Sequence, residues 1–488
     1  MAKFNGAAAS GHPLVSQAAA EILQAGGNAF DAAIAAGFTS VVAESTLTGL
    51  AGGGFLLGRT SEGQEVLFDF FVDTPGRGLP EEKLEPHFFP VYLDFGGALQ
   101  EFNAGLGSAA VPGGLKGFLH VHQKLGRLPL QKVIQFATDL AHDGVEINEM
   151  QSHALGLLNS ILKQSEEGRK LYFRNGKHLQ KGDVYKNDRL ANFLTNLPSD
   201  MGKSFYTGEV AKSIVKQMSE GKGLITEEDM RSFEVAERKP LVGNYRGYRV
   251  LTNNLPSFGG GLILKSLETL EKHSLSQLKW GSSEYVKIMT EVMEEIENSR
   301  KKQEKTAVKE ATRGTTHLSV ADGEGNVASL TMSNGEGAGF FIPETGIMYN
   351  NMMGEDDLHP EGFHSCEPGV RVSSMMSPTV LMKDGEVKYV IGTGGSKRIR
   401  TTLVQIISNL VDFNMPLKDA VESPRLYLED LKLEAEKGFD AKSFESLDSK
   451  FKVNLWDKQN FYFGGVHAVS PQGEHAGDSR RGGASVLV

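Results

Sequence analysis

Thr315-Thr316-His317-Leu318-Ser319-Val320-Ala321 runs through Asp322-Gly323-Glu324-Gly325 into Asn326-Val327-Ala328-Ser329-Leu330-Thr331-Met332-Ser333. Two alternating stretches flank an Asp/Gly turn, which reads as a β-hairpin. With a loop from Gly323 to Gly325, Asp322 opposes Asn326 and Thr315 faces Ser333. A loop one residue longer slips the register and puts the two hydroxyls on opposite faces. A Thr at a strand start is ordinarily only a good β-former. Thr315, however, follows Gly314 and a densely charged stretch. Cutting the Gly314–Thr315 peptide would give one residue both a hydroxyl nucleophile and an α-amine, whose pKa of about 7.7–8.0 suits a general base near neutrality.

Downstream, Asp384-Gly385 between Leu381-Met382-Lys383 and Glu386-Val387-Lys388 is a two-residue turn signal. Continuing its register, Ser374 faces Gly395, which brings Ser373-Ser374 beside Gly392-Thr393-Gly394-Gly395-Ser396. Paired hydroxyls next to close-approaching main-chain N–H groups are what an oxyanion site requires. A phosphate loop over Gly392 to Lys397 fails on spacing, and a plain tight turn is the alternative.

Around these hairpins, the first half reads as helix-rich. Leu14, Val15, Ala18, Ile22 and Ala25 recur at helical spacing up to Gly26-Gly27, and Asn28 then caps a second helix through Ala36. Residues 39 to 75 read as β-like around Gly52-Gly53-Gly54, and Gly113 to Ser283 as mostly helical, with a break at Pro256-Ser257-Phe258-Gly259. Glu291 to Arg313 reads as a solvated helix face or a mobile linker. Residues 315 to 402 read as strands, and Thr402 to Phe413 as a helix.

The 488 residues are 40% hydrophobic and 23% charged, which excludes wholesale disorder and fibrous repeats. A net charge of −10 without a long basic run argues against nucleic acid and anionic membrane as partners and makes small molecules the default. Cys366 is the single cysteine, so no internal disulfide is possible. No apolar run reaches the roughly 18 residues of a membrane span, and the start shows no signal core, so the expectation is cytoplasmic, or periplasmic or secreted if a signal peptide was removed.

These residues resemble the γ-glutamyltransferase family, a branch of the N-terminal-nucleophile hydrolases. The likeness runs through Gly26-Gly27-Asn28-Ala29-Phe30-Asp31-Ala32-Ala33, Gly52-Gly53-Gly54-Phe55, Val111-Pro112-Gly113, Ala141-His142-Asp143-Gly144, Phe205-Tyr206-Thr207-Gly208-Glu209 and Pro256-Ser257-Phe258-Gly259-Gly260. In the second half it runs through Thr315-Thr316-His317, Asn350-Asn351-Met352-Met353, Ser373-Ser374-Met375-Met376-Ser377-Pro378 and Asp478-Ser479-Arg480. The resemblance implies an α+β, four-layer αββα sandwich. It also implies a precursor that cleaves itself before Thr315 into segments 1–314 and 315–488, which stay together as a heterodimer. The new N-terminal Thr attacks an amide carbonyl, and the acyl group passes to water or to an amine. No cofactor and no metal are called for, the partner is a small amide or γ-glutamyl-type substrate, and a homo-oligomer is compatible.

Position by position, the resemblance makes Gly394 and Gly395 the oxyanion glycines, and Ser373 and Ser374 the pair at the substrate's α-carboxylate end. Ser333 stands for a supporting Thr, and Asn334 and Glu355 are substrate contacts, Glu355 for the amine. Three departures bear on specificity. Phe71, in Asp69-Phe70-Phe71-Val72-Asp73, replaces the Arg that binds the γ-glutamyl α-carboxylate, leaving Arg371 or Arg398 as substitutes; Met352 replaces a Gln; and a lid between Asn351 and Arg371 is shortened. Acyl chemistry is thus expected on small, polar, amide-linked acids, with a related amidase or acylase, or an unprocessed binding protein, as alternatives. His359, His364 and Cys366 lack the fourth ligand of a zinc site, Glu355-Asp356-Asp357 lacks an EF-hand pattern, and His317 is expected to be a packed histidine.

Overall fold

A computed structural model describes residues 4–80, 87–94, 99–303, 314–355, 358–359, 362–363 and 365–488. Asp356, Asp357, His364 and the stretch 304–313 lie outside the described residues.

The hairpin read from Thr315 to Ser333 forms the middle of a seven-stranded sheet. Thr316–Asp322 pairs antiparallel with Val327–Ser333 in the three-residue-loop register, Thr316 opposite Met332 and Ala321 opposite Val327. Gly53–Arg59 and Glu65–Asp69 extend the sheet on one side, Gly6–Ser10 and Ala484–Leu487 on the other. A second, six-stranded sheet orders Leu241–Tyr245, Tyr248–Thr252, Thr379–Lys383, Glu386–Gly394, Gly465–Val469 and His475–Gly477.

Strand alternation divides the apolar residues among three cores. Leu318, Val320, Ala328 and Leu330 pack under the helices Pro13–Gln24, Ala29–Ala43, Gly114–Leu125 and Leu130–Asp143. Ala321 and Val327 point the other way and meet Val380, Met382 and Val390 of the second sheet. On that sheet's outer face, Leu381 and Ile391 pack under Gly259–Leu270, Ser283–Gln303 and Arg398–Val411. The order helix, sheet, sheet, helix is the αββα sandwich that the resemblance implies.

Several elements depart from the sequence reading. The second helix runs to Ala43 rather than Ala36 and is buried along its whole length. Asn28 caps it as expected, in a reciprocal capping box with Asp31. Gly37 does not stop the helix, because a Cβ there would stand 2.8 Å from the Phe118 ring; the glycine admits the neighbouring helix. The helical expectation for 113–283 misses the Leu241–Tyr245/Tyr248–Thr252 hairpin. Its turn places Arg246 at φ 48 and Gly247 at φ 78. Arg is a poor residue for that left-handed position, and it is held there by Asp412, 3.1 Å from Nε. Glu291 to Gln303 belongs to a packed helix, with Val292, Met293 and Ile296 buried. Among the described residues, no helix is long and apolar enough to cross a membrane.

Candidate active site around Thr315

Thr315 sits just before the Thr316–Asp322 strand, on the face that looks into the second sheet, and is 2% exposed. Odd-numbered His317 and Ser319 share this face, as do Ser333, Thr331 and Ser329 of the partner strand. His317 is a packed imidazole. Its Nδ1 lies 2.8 Å from Thr331 Oγ1 and its Nε2 2.9 Å from Ser319 Oγ, so both ring nitrogens are engaged. Burial, and then His467, holds its pKa well below the usual 6.5.

Thr315 opens onto a cavity that Ser333, Ser374, Ser396, Glu355 and Phe71 also line. Ser333 Oγ donates to the carbonyl oxygen of Gly314 and accepts from Gly335 N at 2.9 Å. Gly314 N donates to Glu336 Oε1 at 3.0 Å. The residue before Thr315 is thus gripped at both its N–H and its C=O. Gly335 is at φ 62, and a Cβ there would fall 2.1 Å from Glu355 Oε1, so only glycine admits the carboxylate at this point.

The loop from Gly392 to Ser396 reaches Thr315, but not through the expected ladder. Lys383 opposes Glu386 as read, yet the register shifts between Leu381 and Met382, and the strand begins only at Thr379. Ser374 therefore does not face Gly395. It forms a bridge with Ser257, and its carbonyl accepts from Phe258 N at 2.9 Å. Tertiary packing brings Ser374 to the cavity all the same. A Cβ on Gly394 would come 2.2 Å from the Thr315 carbonyl oxygen, so this glycine permits the two strands to touch. Gly395, at φ 131, makes the turn, and the next residue, Ser396, lines the cavity.

Two expected contacts point elsewhere. Ser373 Oγ donates to Leu358 O at 2.6 Å and does not line the cavity. Asn334 follows Ser333 and so leaves on the opposite face; its side chain lines a separate cavity with Tyr172 and Tyr185. His359 Nε2 lies 2.9 Å from Met352 O, and Cys366 is exposed.

Neither arginine offered as a substitute at Phe71 lines the cavity. Arg371 Nε lies 3.1 Å from Asp73 and 3.6 Å from Asp69, and its Nη groups donate to the carbonyls of Phe71 and Glu234. The Arg398 guanidinium lies over the Tyr462 ring, 4.3 Å from its centroid. Phe71 itself is buried and stacks on Phe55 at 5.5 Å.

Sequence reasoning missed three charged groups here. Arg481 Nη1 donates to Thr315 O at 3.1 Å, and burial, then Arg398, lowers its pKa to about 9. Glu44 Oε1 accepts from Thr316 Oγ1 at 2.9 Å; burial pushes its carboxyl up to about 7, against the opposing pull of Thr316 and Arg481. Glu336 is the third. The signal for Arg481 was adjacent to the Asp478-Ser479-Arg480 run: Arg480 bonds Asp478 at 3.1 Å and Glu436 at 2.6 Å, a buried lattice that fixes the turn carrying Arg481. Glu44 lies far off in sequence and had none.

Fold and site together define an N-terminal-nucleophile hydrolase. The family model for gamma-glutamyltranspeptidase matches residues 15–304 and 293–488, and the chain belongs to that family. It is 30% identical over 500 residues to the glutathione hydrolase proenzyme of Escherichia coli (strain K12), covering 91% of this chain and 85% of the relative. It is 31% identical over 473 residues to the acylase ACY 1 proenzyme of Pseudomonas sp. (strain SE83), covering 88% and 84%. Cephalosporin acylase from Bacillus halodurans superposes with a TM-score of 0.83 at 22% identity, over 99% of this chain and 96% of that one. Helicobacter pylori gamma-glutamyltranspeptidase gives 0.52 at 31% identity, over 59% and 81%.

Proposed function

We propose that the chain is made as a precursor that cuts itself between Gly314 and Thr315, and that the freed Thr315 is the nucleophile of an amidohydrolase and acyltransferase. The observation that carries this reading is the Ser333 hydroxyl bonded to the carbonyl oxygen of Gly314, the peptide that must break. Polarised in this way, that carbon takes the Thr315 hydroxyl oxygen. The C–N bond breaks, its nitrogen takes the hydroxyl proton, and Gly314 becomes an ester on Thr315 beside a free α-amine. Water then hydrolyses the ester.

The same groups serve turnover. The α-amine takes the Thr315 hydroxyl proton as the oxygen attacks a substrate amide, and it returns the proton to the leaving amine. Main-chain donors of the Gly394–Ser396 loop hold the oxyanion, and water or a second amine takes the acyl group. The substrate is a small amide, in line with the glutathione hydrolase and acylase relatives. The two segments remain a heterodimer.

The test is substitution at the nucleophile. Thr315→Ala is expected to remain one chain and to turn over no p-nitroanilide, whereas Thr315→Ser keeps both reactions at reduced rates. A Thr315→Ala protein that still splits before residue 315, or still hydrolyses amides, contradicts the reading.

A further inference from the structure

Beside its hydroxyls and Glu355, the cavity has an apolar part of its lining. Phe71 and Met352 stand where the family resemblance calls for an Arg and a Gln. Leu358 and Met376 complete the same wall, and all four side chains are at most 5% exposed. Arg371 is committed to Asp73, Asp69 and two carbonyls, and the Arg398 guanidinium lies over the Tyr462 ring and does not line the cavity, although its Nε and Nη2 have no hydrogen-bond partner among the described residues. A carboxylate placed against Phe71, Met352, Leu358 and Met376 would be desolvated with only apolar side chains in contact, which is unfavourable. An apolar group placed there gains by leaving water. Beside Ser374, the loop through Ser257 carries Leu255 and Phe258 to the surface, 59% and 42% exposed.

Resting on the reading of Thr315 as nucleophile, we infer that the enzyme takes amides whose acyl arm is uncharged and apolar, aliphatic or aromatic, in place of a γ-glutamyl group, with Phe71 and Met352 as the specificity-determining residues. The missing guanidinium alone removes about 10- to 150-fold of affinity for an α-carboxylate. The discrimination is therefore expected in KM as well as kcat/KM, since it is binding energy present before the chemical step.

The experiment compares phenylacetyl-p-nitroanilide with γ-glutamyl-p-nitroanilide on the self-cleaved protein. The expected kcat/KM is at least 10-fold higher for the phenylacetyl arm. Met352→Gln, a change of similar size that spares the Phe71–Phe55 stack, is expected to narrow that ratio several-fold, and Phe71→Arg to narrow it further if it folds. Preference for the γ-glutamyl arm, or a ratio unmoved by Met352→Gln, overturns the inference while leaving Thr315 as the nucleophile. Cleaved protein that turns over neither arm, and gains no acyl mass on the 315–488 fragment from either, overturns both.

Discussion

Ser333 has two jobs that its hydroxyl alone can do, accepting from Gly335 N and donating to the Gly314 carbonyl. Ser333→Ala leaves that carbonyl without its donor, a loss of about 1–3 kcal/mol, so self-cleavage is expected to slow about 5- to 150-fold in a gel time course, and Ser333→Thr to restore it. An alanine variant that processes at the wild-type rate would place the polarising group elsewhere. Glu44 has a different signature. Its carboxyl is near 7 when folded, above the ordinary 4.5, so the native state holds an extra proton between those values. The stability this confers, about 3 kcal/mol, is fully present below pH 4.5 and lost as pH rises through 7. Buried His12 and His467, both lowered to about 4, slope the opposite way, so the readout is the difference between wild type and Glu44→Gln. The variant is expected to gain on wild type from pH 4.5 to 8 in denaturant titrations; a flat difference would mean that Glu44 titrates normally. That Thr315, Ser333, Ser374 and Glu355 lie together along one cavity could be anticipated because short motifs carry them. Asn334, expected from the resemblance as a substrate contact, lines a separate cavity because a one-residue step in a strand reverses the face, and Glu44 was invisible because only the fold brings it to Thr316.

The first hairpin was legible as an element because its Asp-Gly-rich turn and its alternation agree on one register. The second was legible only as far as its turn. Beyond Met382 the register shifts, and no local pattern in Leu381-Met382-Lys383 marks the shift. The Leu241–Thr252 hairpin escaped detection because tertiary bonds, not an Asn or Asp, hold its left-handed turn residue. The two sheets meet closely where Gly392 lies under His317: a Cβ would stand 2.2 Å from the ring. Gly392→Ala is therefore expected to cost about 1–3 kcal/mol through overpacking, read as a lower urea midpoint. An unchanged midpoint would mean that the imidazole does not seat on this glycine.

Across the whole molecule, the strands that precede and follow the proposed cut are shuffled together. Gly6–Ser10 lies between Thr316–Asp322 and Ala484–Leu487, and Gly53–Arg59 pairs with Val327–Ser333. The layered architecture followed from the family likeness; this interleaving of strands distant in sequence was not legible in local patterns. Once cut, the fragments share both large sheets and all three cores, so they are expected to co-migrate on a sizing column and to part only in denaturant. Everything proposed for Thr315 depends on the break itself. Intact-mass analysis of the purified protein under denaturing conditions, with N-terminal sequencing of the smaller species, tests it most directly. Two species are expected, residues 1–314 and 315–488, the second beginning at Thr315; a single uncut chain that nevertheless hydrolyses amides would show that the nucleophile does not come from this cut.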